Sequence, residues 1–330
     1  MKKLHLNNKY ITPLITTLLF ILLFTAGSVT YRGFFSLQVF LNLFIDNSFL
    51  IITAIGMTFV LISGGIDISV GAVIALVCML SAYLVEIRQV SPWLVIPLML
   101  AMGALFGVTM GSIIHFFRIQ PFIVTLAGMF FARGLCYIIS TETITISDPF
   151  YQLMSQYRIP LPFDTFISLS VVIALVTLLA ALYLANFTKF GRTVYAIGGG
   201  EHSALLMGLP VAKTKILVYT LNGFCSALAG VVFSFYMLSG YGLHCVGLEM
   251  DAIASAVIGG TPLTGGVGFL SGTLFGVLIQ GIIQTLIMFE GTLSSWWTKI
   301  AVACLLFIFI VLQRIVIIRK EAKKNLVSNE

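Results

Sequence analysis

Charge is scarce in this sequence: only 9% of its 330 residues are Asp, Glu, Lys or Arg, against about 25% in an ordinary soluble domain. The apolar set takes 59% instead, and the mean hydropathy is +1.08. A water-soluble globular fold is excluded. The formal charge of +6, from 18 basic and 12 acidic residues, is too sparse for a nucleic-acid surface. Cysteine is scarce as well: Cys78, Cys136, Cys225, Cys245 and Cys304 contain no C-x-x-C pair, so they read as packing residues without a disulfide framework or a zinc site. His115, His202 and His244 have no H-x-x-x-H or carboxylate spacing around them, and no metal or other cofactor is expected. No G-x-x-x-x-G-K-[ST] sequence occurs, so the chain does not hold ATP phosphates in the P-loop manner. No spaced nucleophile and base set suggests an enzyme either.

What is present is long apolar runs. A helix needs about 20 mostly apolar residues to cross the hydrocarbon core, and ten candidates fall at 10–29, 39–62, 67–87, 93–117, 121–140, 165–187, 214–238, 251–263, 266–289 and 296–317. The expected class is therefore all-α, a polytopic membrane protein forming one transmembrane domain over 1–330. The first run is read as an uncleaved span, since it is long for a signal-peptide core and nine more follow. The eighth is short and carries Gly259, Gly260 and Pro262, which leaves a half-helix or re-entrant segment open.

Lys and Arg in short loops favour the cytoplasmic side. With the N-terminus inside, 13 of the 18 basic residues are cytoplasmic: Lys2, Lys3, Lys9, Arg118, Lys189, Arg192, Lys213, Lys215, Arg314, Arg319, Lys320, Lys323 and Lys324. Only Arg32, Arg88 and Arg158 fall outside. Both termini are expected in the cytoplasm.

The sixth span separates two groups of four, 39–140 and 214–317, that start on opposite faces. That is the pattern of an inverted repeat, common in transporters with alternating access. Asp67 opens the third span at the cytoplasmic end and Asp251 the eighth at the other end, each where a helix N-terminus is partly positive. The fourth and ninth spans carry Gly103, Gly107, Gly111 and Gly268, Gly272, Gly276, ridges that let backbones approach closely.

Three segments carry more than hydropathy. One runs from Gly56 through Ser63-Gly64-Gly65-Ile66-Asp67 to Gly71; a second from Thr188 through Gly191-Arg192 and Gly198-Gly199-Gly200-Glu201 to Leu209; a third from Gly247 through Glu249 and Asp251 to Gly259-Gly260-Thr261 and Gly265-Gly266-Val267-Gly268. Together they resemble the permease subunits of sugar ABC importers of the ribose, galactose and xylose type. The stretches around Asp46-Asn47, Leu126–Gly134 and Gly291–Lys299 are most similar to the galactofuranose branch of that family. The resemblance spans about 40–314. It implies a multi-pass subunit of the bacterial inner membrane, with a separate ABC ATPase, a periplasmic sugar-binding protein, a second homologous permease and a sugar as partners, within membrane lipid. It also implies that the cytoplasmic segment 188–213 is the coupling loop, docking on the ATPase through Gly191, Arg192, Gly198, Gly199, Glu201, Ala204, Met207 and Gly208. A short helix over Glu201–Met207, lying across the membrane axis, is expected there. One departure stands out: the family pattern has Asn where this chain has Gly200, so a side-chain cap is missing.

Other candidates follow from polarity in an apolar setting. Gly64, Gly65 and Asp67 form either a part of the pathway or its gate, or a tight turn at the inner surface. Thr58, Asn222, Ser226, Gln280 and Gln284 are pathway candidates, with helix–helix hydrogen bonding the alternative for each. Asp46 and Arg133 are ionisable and each lies seven residues inside a span end, about 10 Å deep at about 1.5 Å per residue, so they are expected to pair. Trp93, Trp296 and Trp297 fit an interfacial belt, with stacking on a sugar as the alternative. The rival from another class is an ion-coupled secondary transporter, which would place acidic residues near the membrane centre.

Overall fold

The structure, a computed structural model, describes residues 11–311 other than 293 and 295. Eight of the cations used for orientation, Lys2, Lys3, Lys9, Arg314, Arg319, Lys320, Lys323 and Lys324, lie outside the described residues.

Helix α1 (Ile11–Thr30) is followed by α2 (Leu37–Asp46), whose N-cap Ser36 accepts from the Val39 amide at 3.1 Å. A 57° bend separates α2 from α3 (Ser48–Ile62). Asn47 makes the bend: its Nδ2 donates back to the Leu43 carbonyl at 2.9 Å, competing with the helical ladder. An unwound stretch, 63–69, leads to α4 (Val70–Ala82), which runs on into a π turn at Tyr83–Ile87. Helices α5 (Pro92–Phe117) and α6 (Pro121–Ile139) both begin on proline, which suits the first helical position because no N–H is left unpaired there.

Small elements follow: β1 (Ile144–Thr145), α7 (Pro149–Gln156), β2 (Arg158–Leu161) and β3 (Thr165–Ser168). β2 and β3 form an antiparallel hairpin turned by Phe163 and Asp164, both at positive φ. The sixth expected span thus starts late, since 165–168 is strand and the helix α8 (Leu169–Phe187) begins only after it. Next come α9 (Lys189–Gly199), α10 (Glu201–Leu206) and α11 (Val211–Met237). β4 (Ser239–Gly240) pairs antiparallel with β1, before α12 (Leu248–Ile258), α13 (Leu270–Glu290) and α14 (Trp296–Val311).

Six of these helices are long and apolar enough to cross a membrane, α4 with its π turn, α5, α6, α8, α11 and α13, and the bent α2–α3 pair makes a seventh. α1 and α14 are apolar but shorter over their described residues. α12, with 11 residues, reaches only about 16 Å at about 1.5 Å per residue, half of the hydrocarbon thickness. It is a half-helix.

α11 is the hub, packed against α3, α4 and α5. α3 and α4 are apolar on every face and bury nearly every residue, as helices inside a bundle must. α5, α6 and α8 instead turn Leu105, Phe116, Phe131, Leu179 and Tyr183 outward, toward lipid. The two glycine ridges have different partners. A Cβ on Gly107 would lie 2.2 Å from the Tyr219 carbonyl of α11, whereas one on Gly276 would lie 2.0 Å from the Ser255 carbonyl of α12. Each ridge is therefore a backbone-to-backbone contact.

Candidate functional site

The segment 188–213 folds into two short helices where one was expected. Thr188 caps α9 by accepting from the Gly191 amide at 3.1 Å, and Gly191 is pressed so close that a Cβ would lie 2.2 Å from the Ala185 carbonyl. α10 covers Glu201–Leu206, close to the expected Glu201–Met207, and its N-cap Gly200 supplies no side-chain bond. Two other contacts fix it. Buried Ala204 packs with Ile197 and Val211, and Lys215 Nζ holds Glu201 at 2.6 Å. Gly208, at φ +73°, ends the turn, as glycine commonly does past a helix. Leu205, Leu206 and Met207 then project outward, 59–76% exposed, beside exposed Arg192. Three large apolar side chains on a helix tip form a surface that is awaiting cover.

Behind that tip, the three glycine-rich motifs meet. A Cβ on Gly198 would lie 1.8 Å from the Ile62 carbonyl and 2.5 Å from the Gly266 amide nitrogen. The Gly266 amide donates to that same Ile62 carbonyl at 2.9 Å. Gly265 abuts Gly64, and Gly266 abuts Gly199. Gly64, Gly265 and Gly266 all hold positive φ, open to glycine with little strain. Tyr195 of α9 adds a bond from its hydroxyl to the Gly268 carbonyl at 2.9 Å.

Deeper along the first break lies Asp67, buried. It accepts from the Ser69 amide at 2.9 Å, the Ser69 hydroxyl at 2.6 Å and Asn222 Nδ2 at 2.8 Å. The N-terminus of α4 adds its partial positive charge. Asn222 is eleven residues past the start of the 27-residue α11, about 16 Å at about 1.5 Å per residue. Asp67 therefore sits well inside the helix bundle, deeper than the span end expected for it. A tight turn does close α3, the Gly64 and Gly65 amides donating to the Leu61 and Val60 carbonyls at 2.9 and 3.0 Å, but it is buried in the bundle: Gly65 lies under the Tyr219 side chain, where a Cβ would be 2.4 Å from its hydroxyl oxygen.

Asp251 is likewise deeper than expected. Its carbonyl accepts from Gln280 Nε2 at 3.0 Å, ten residues into α13, and its carboxylate pairs with Lys299. The chain reaches this depth by re-entering beside α4: Gly240 packs near Ala82, whereas Cys245 and Glu249 pack against Gly71. The N-termini of α4 and α12 thus meet inside the bundle with the Glu249 carboxylate between them.

The expected Asp46–Arg133 pair does not form. Arg133 Nη1 donates to the Gly242 and His244 carbonyls at 2.6 and 2.7 Å, and Asp46, at the α2–α3 bend, meets the Tyr236 side chain. Two carbonyls of the re-entrant loop hold the guanidinium instead. Most polar pathway candidates are occupied between helices. Thr58 bonds Thr273 at 2.8 Å, Gln280 bonds α12, and Ser226 bonds its own helix at the Asn222 carbonyl, 2.8 Å away. Gln284 differs, being exposed on α13. The three tryptophans are exposed, with Trp93 leaning on Phe150. Tyr195, Tyr219 and Thr273 were not singled out by sequence, since a hydroxyl on an amphipathic side chain gives no periodic signal.

The profile described as the permease component of a branched-chain amino acid transport system matches residues 39–311. The chain belongs to this permease family. It is 50% identical to the inner membrane ABC transporter permease protein YjfF of Escherichia coli K12, over 92% of each chain. It is 38% identical to the fructose import permease FruG of Bifidobacterium longum over 96% of this chain and 94% of that one. The ribose import permease RbsC of Haemophilus influenzae is 36% identical, over 87% and 88%. No solved structure matches. As a permease of this family the chain is a multi-pass inner-membrane protein and a non-catalytic subunit, with ATP hydrolysis on a partner. The ion-coupled alternative is set aside.

Proposed function

We propose that the chain is a translocation subunit of an ATP-driven sugar importer, with galactofuranose as its sugar. The observation that carries this is the near full-length similarity to sugar permeases: relatives named for fructose and ribose import each align over most of both chains. The family profile is described by branched-chain amino acids, but the relatives favour a sugar. Galactofuranose rests on the similarity of the segments around Asp46, Leu126–Gly134 and Gly291–Lys299 to that branch.

In this reading a periplasmic binding protein delivers the sugar to the re-entrant loop. An ABC ATPase engages the exposed Leu205, Leu206 and Met207 of α10. Gly191, Arg192, Gly198, Gly199, Glu201, Ala204 and Gly208 build and orient that contact. A second, homologous permease completes the path, which accounts for a polar Gln284 left exposed on an apolar helix, where lipid alone would be a poor neighbour. Spans two to five and seven to ten act as inverted halves, and the buried meeting point of α4 and α12 separates the two access states, as broken helices do in other transporters.

The test is reconstitution of the chain with its ATPase, its companion permease and the binding protein in proteoliposomes. Galactofuranose loaded on the binding protein should raise ATP hydrolysis and enter with it, and ribose or fructose should do so less. Uptake driven by a proton gradient without ATP would overturn the reading.

A further inference from the structure

We infer that Tyr195 is a positioning residue that ties the ATPase-facing segment to the α12–α13 connection, so that movement of α10 is passed to the gate through one hydrogen bond. The inference rests on the transport reading above and adds a residue to it.

α9 and α10 are separated by extended Gly200 but packed together through Ile197 and Ala204, so a push on the exposed tip of α10 is passed to α9. α9 touches the rest of the molecule in two ways. One is steric: Gly198 lies against the Ile62 carbonyl and Gly266, and Phe190 against Phe59 with ring centres 6.0 Å apart. These contacts pack α9 against α3 and Gly266 without a hydrogen bond to the 265–269 segment. The other is the bond from the Tyr195 hydroxyl to the Gly268 carbonyl at 2.9 Å, which acts in both directions.

The segment that Tyr195 holds is glycine-rich and borders open space. Gly265 and Gly266 both stand at positive φ, and Gly268 follows them. A cavity of about 550 Å³ borders the same segment, lined by Asn186, Tyr195, Gly266, Val267, Gly268 and Phe269. The segment thus has open space on one side and two anchors, the Gly266 amide on the Ile62 carbonyl of α3 and the Tyr195 tether at Gly268, of which only the tether leads to α9. Its far end is the start of α13, whose Thr273 bonds Thr58 of α3 and whose Gln280 bonds α12. A displacement of 265–269 therefore reaches both broken segments. The first break, 63–69, is touched at Gly64 by Gly265 and carries Asp67 to α11 through Asn222.

Removing the hydroxyl while keeping the ring isolates the tether from the packing. In the reconstituted full transporter, Tyr195→Phe should lower the sugar moved per ATP hydrolysed by roughly three- to tenfold, the range of one hydrogen bond, while the ATPase still co-purifies. A second readout follows the segment itself. With Val267, 52% exposed, changed to Cys in a background lacking Cys245 and Cys304, its rate of labelling by a thiol reagent should change when ATP is added. In Tyr195→Phe that change should vanish. A role confined to holding the fold would lower stability and assembly without altering the transport ratio. Equal transport per ATP in Tyr195→Phe, or an ATP response at residue 267 that survives the substitution, overturns the tether. If the complex with Tyr195 intact hydrolyses ATP without moving sugar, the transport reading itself fails, and the two failures are told apart by that control.

Discussion

Asp67 shows how a carboxylate is kept inside an apolar bundle: it forms no salt bridge among the described residues, so hydrogen bonds and a helix N-terminus must do the work. Its three donors come from Ser69, twice, and Asn222. Asn222→Leu removes one of them and should cost about 1–3 kcal/mol, the cost of leaving a buried polar group unsatisfied, seen as a lower melting temperature in detergent; an unchanged melting temperature would refute the role. His244, in the re-entrant loop outside the crossing helices, gives a pH effect. Burial first, and the nearby Arg133 guanidinium second, lower its pKa below the ordinary 6.5. The folded chain therefore holds this ring neutral while the unfolded chain protonates near 6.5, so its contribution is intact above that pH and is lost as pH falls through 6.5 toward the folded value. Thermal stability should fall over that window, and His244→Gln should flatten the fall. Sequence could mark Thr58, Ser226, Gln280 and Asn222 as unusual, but not what they were for. A polar atom in hydrocarbon is costly without a partner, and only the packed structure shows that the bonds these residues make go to a neighbouring segment or to the residue's own helix.

Among the elements, the α5–α11 contact sets how tightly the bundle closes. Gly107 faces the Tyr219 carbonyl with no space for a methyl group, and Gly223 on the other side faces the Gly103 carbonyl in the same way. Gly107→Leu should destabilise the chain by about 1–3 kcal/mol or more, as overpacking does, and should be visible as reduced thermal stability and yield of folded protein. α10 should behave in the opposite manner. Leu206 and Met207 are exposed, so replacing both by Ser should leave stability within about 0.5 kcal/mol yet weaken ATPase co-purification on the order of tenfold, as loss of an interface anchor does. The elements themselves were largely legible. Apolar runs marked the helices, and Glu201 onward marked α10. α9 was missed because residues 189–199 read as a glycine-rich basic loop, and their helix is held by the Thr188 cap and by contact with α8 and α3. The depth of Asp67 and Asp251 was missed for another reason. The polar, glycine-rich stretch 63–69 reads as a break between two spans at the membrane surface, and hydropathy does not reveal that it lies inside the bundle.

At the scale of the whole molecule, α4 and α12 run in opposite directions from one buried meeting point. α4 starts beside Glu249 and Cys245 and ends near Gly240, whereas α12 starts at Gly71 and ends near Gly272 at the base of α13. One therefore points away from the α9–α10 end and the other toward it. Which end faces the cytoplasm is a matter of charge. Among the described residues, Arg118, Lys189, Arg192, Lys213 and Lys215 cluster at the α9–α10 end, and Arg32, Arg88 and Arg158 lie at the other. The positive-inside rule places the richer end in the cytoplasm. Two exposed sites test it. Leu206, 76% exposed on α10, and Phe163, 88% exposed at the β2–β3 turn, belong to opposite ends of the chain's long helices. In intact cells, with Cys245 and Cys304, the two cysteines that are not buried, replaced, a membrane-impermeant thiol reagent should label Phe163→Cys and not Leu206→Cys until the membrane is opened. The reverse order would invert the topology and with it the direction in which the ATPase-facing surface could act. Labelling of both in intact cells would mean that the two ends share one side, which no odd number of crossings between Phe163 and Leu206 allows.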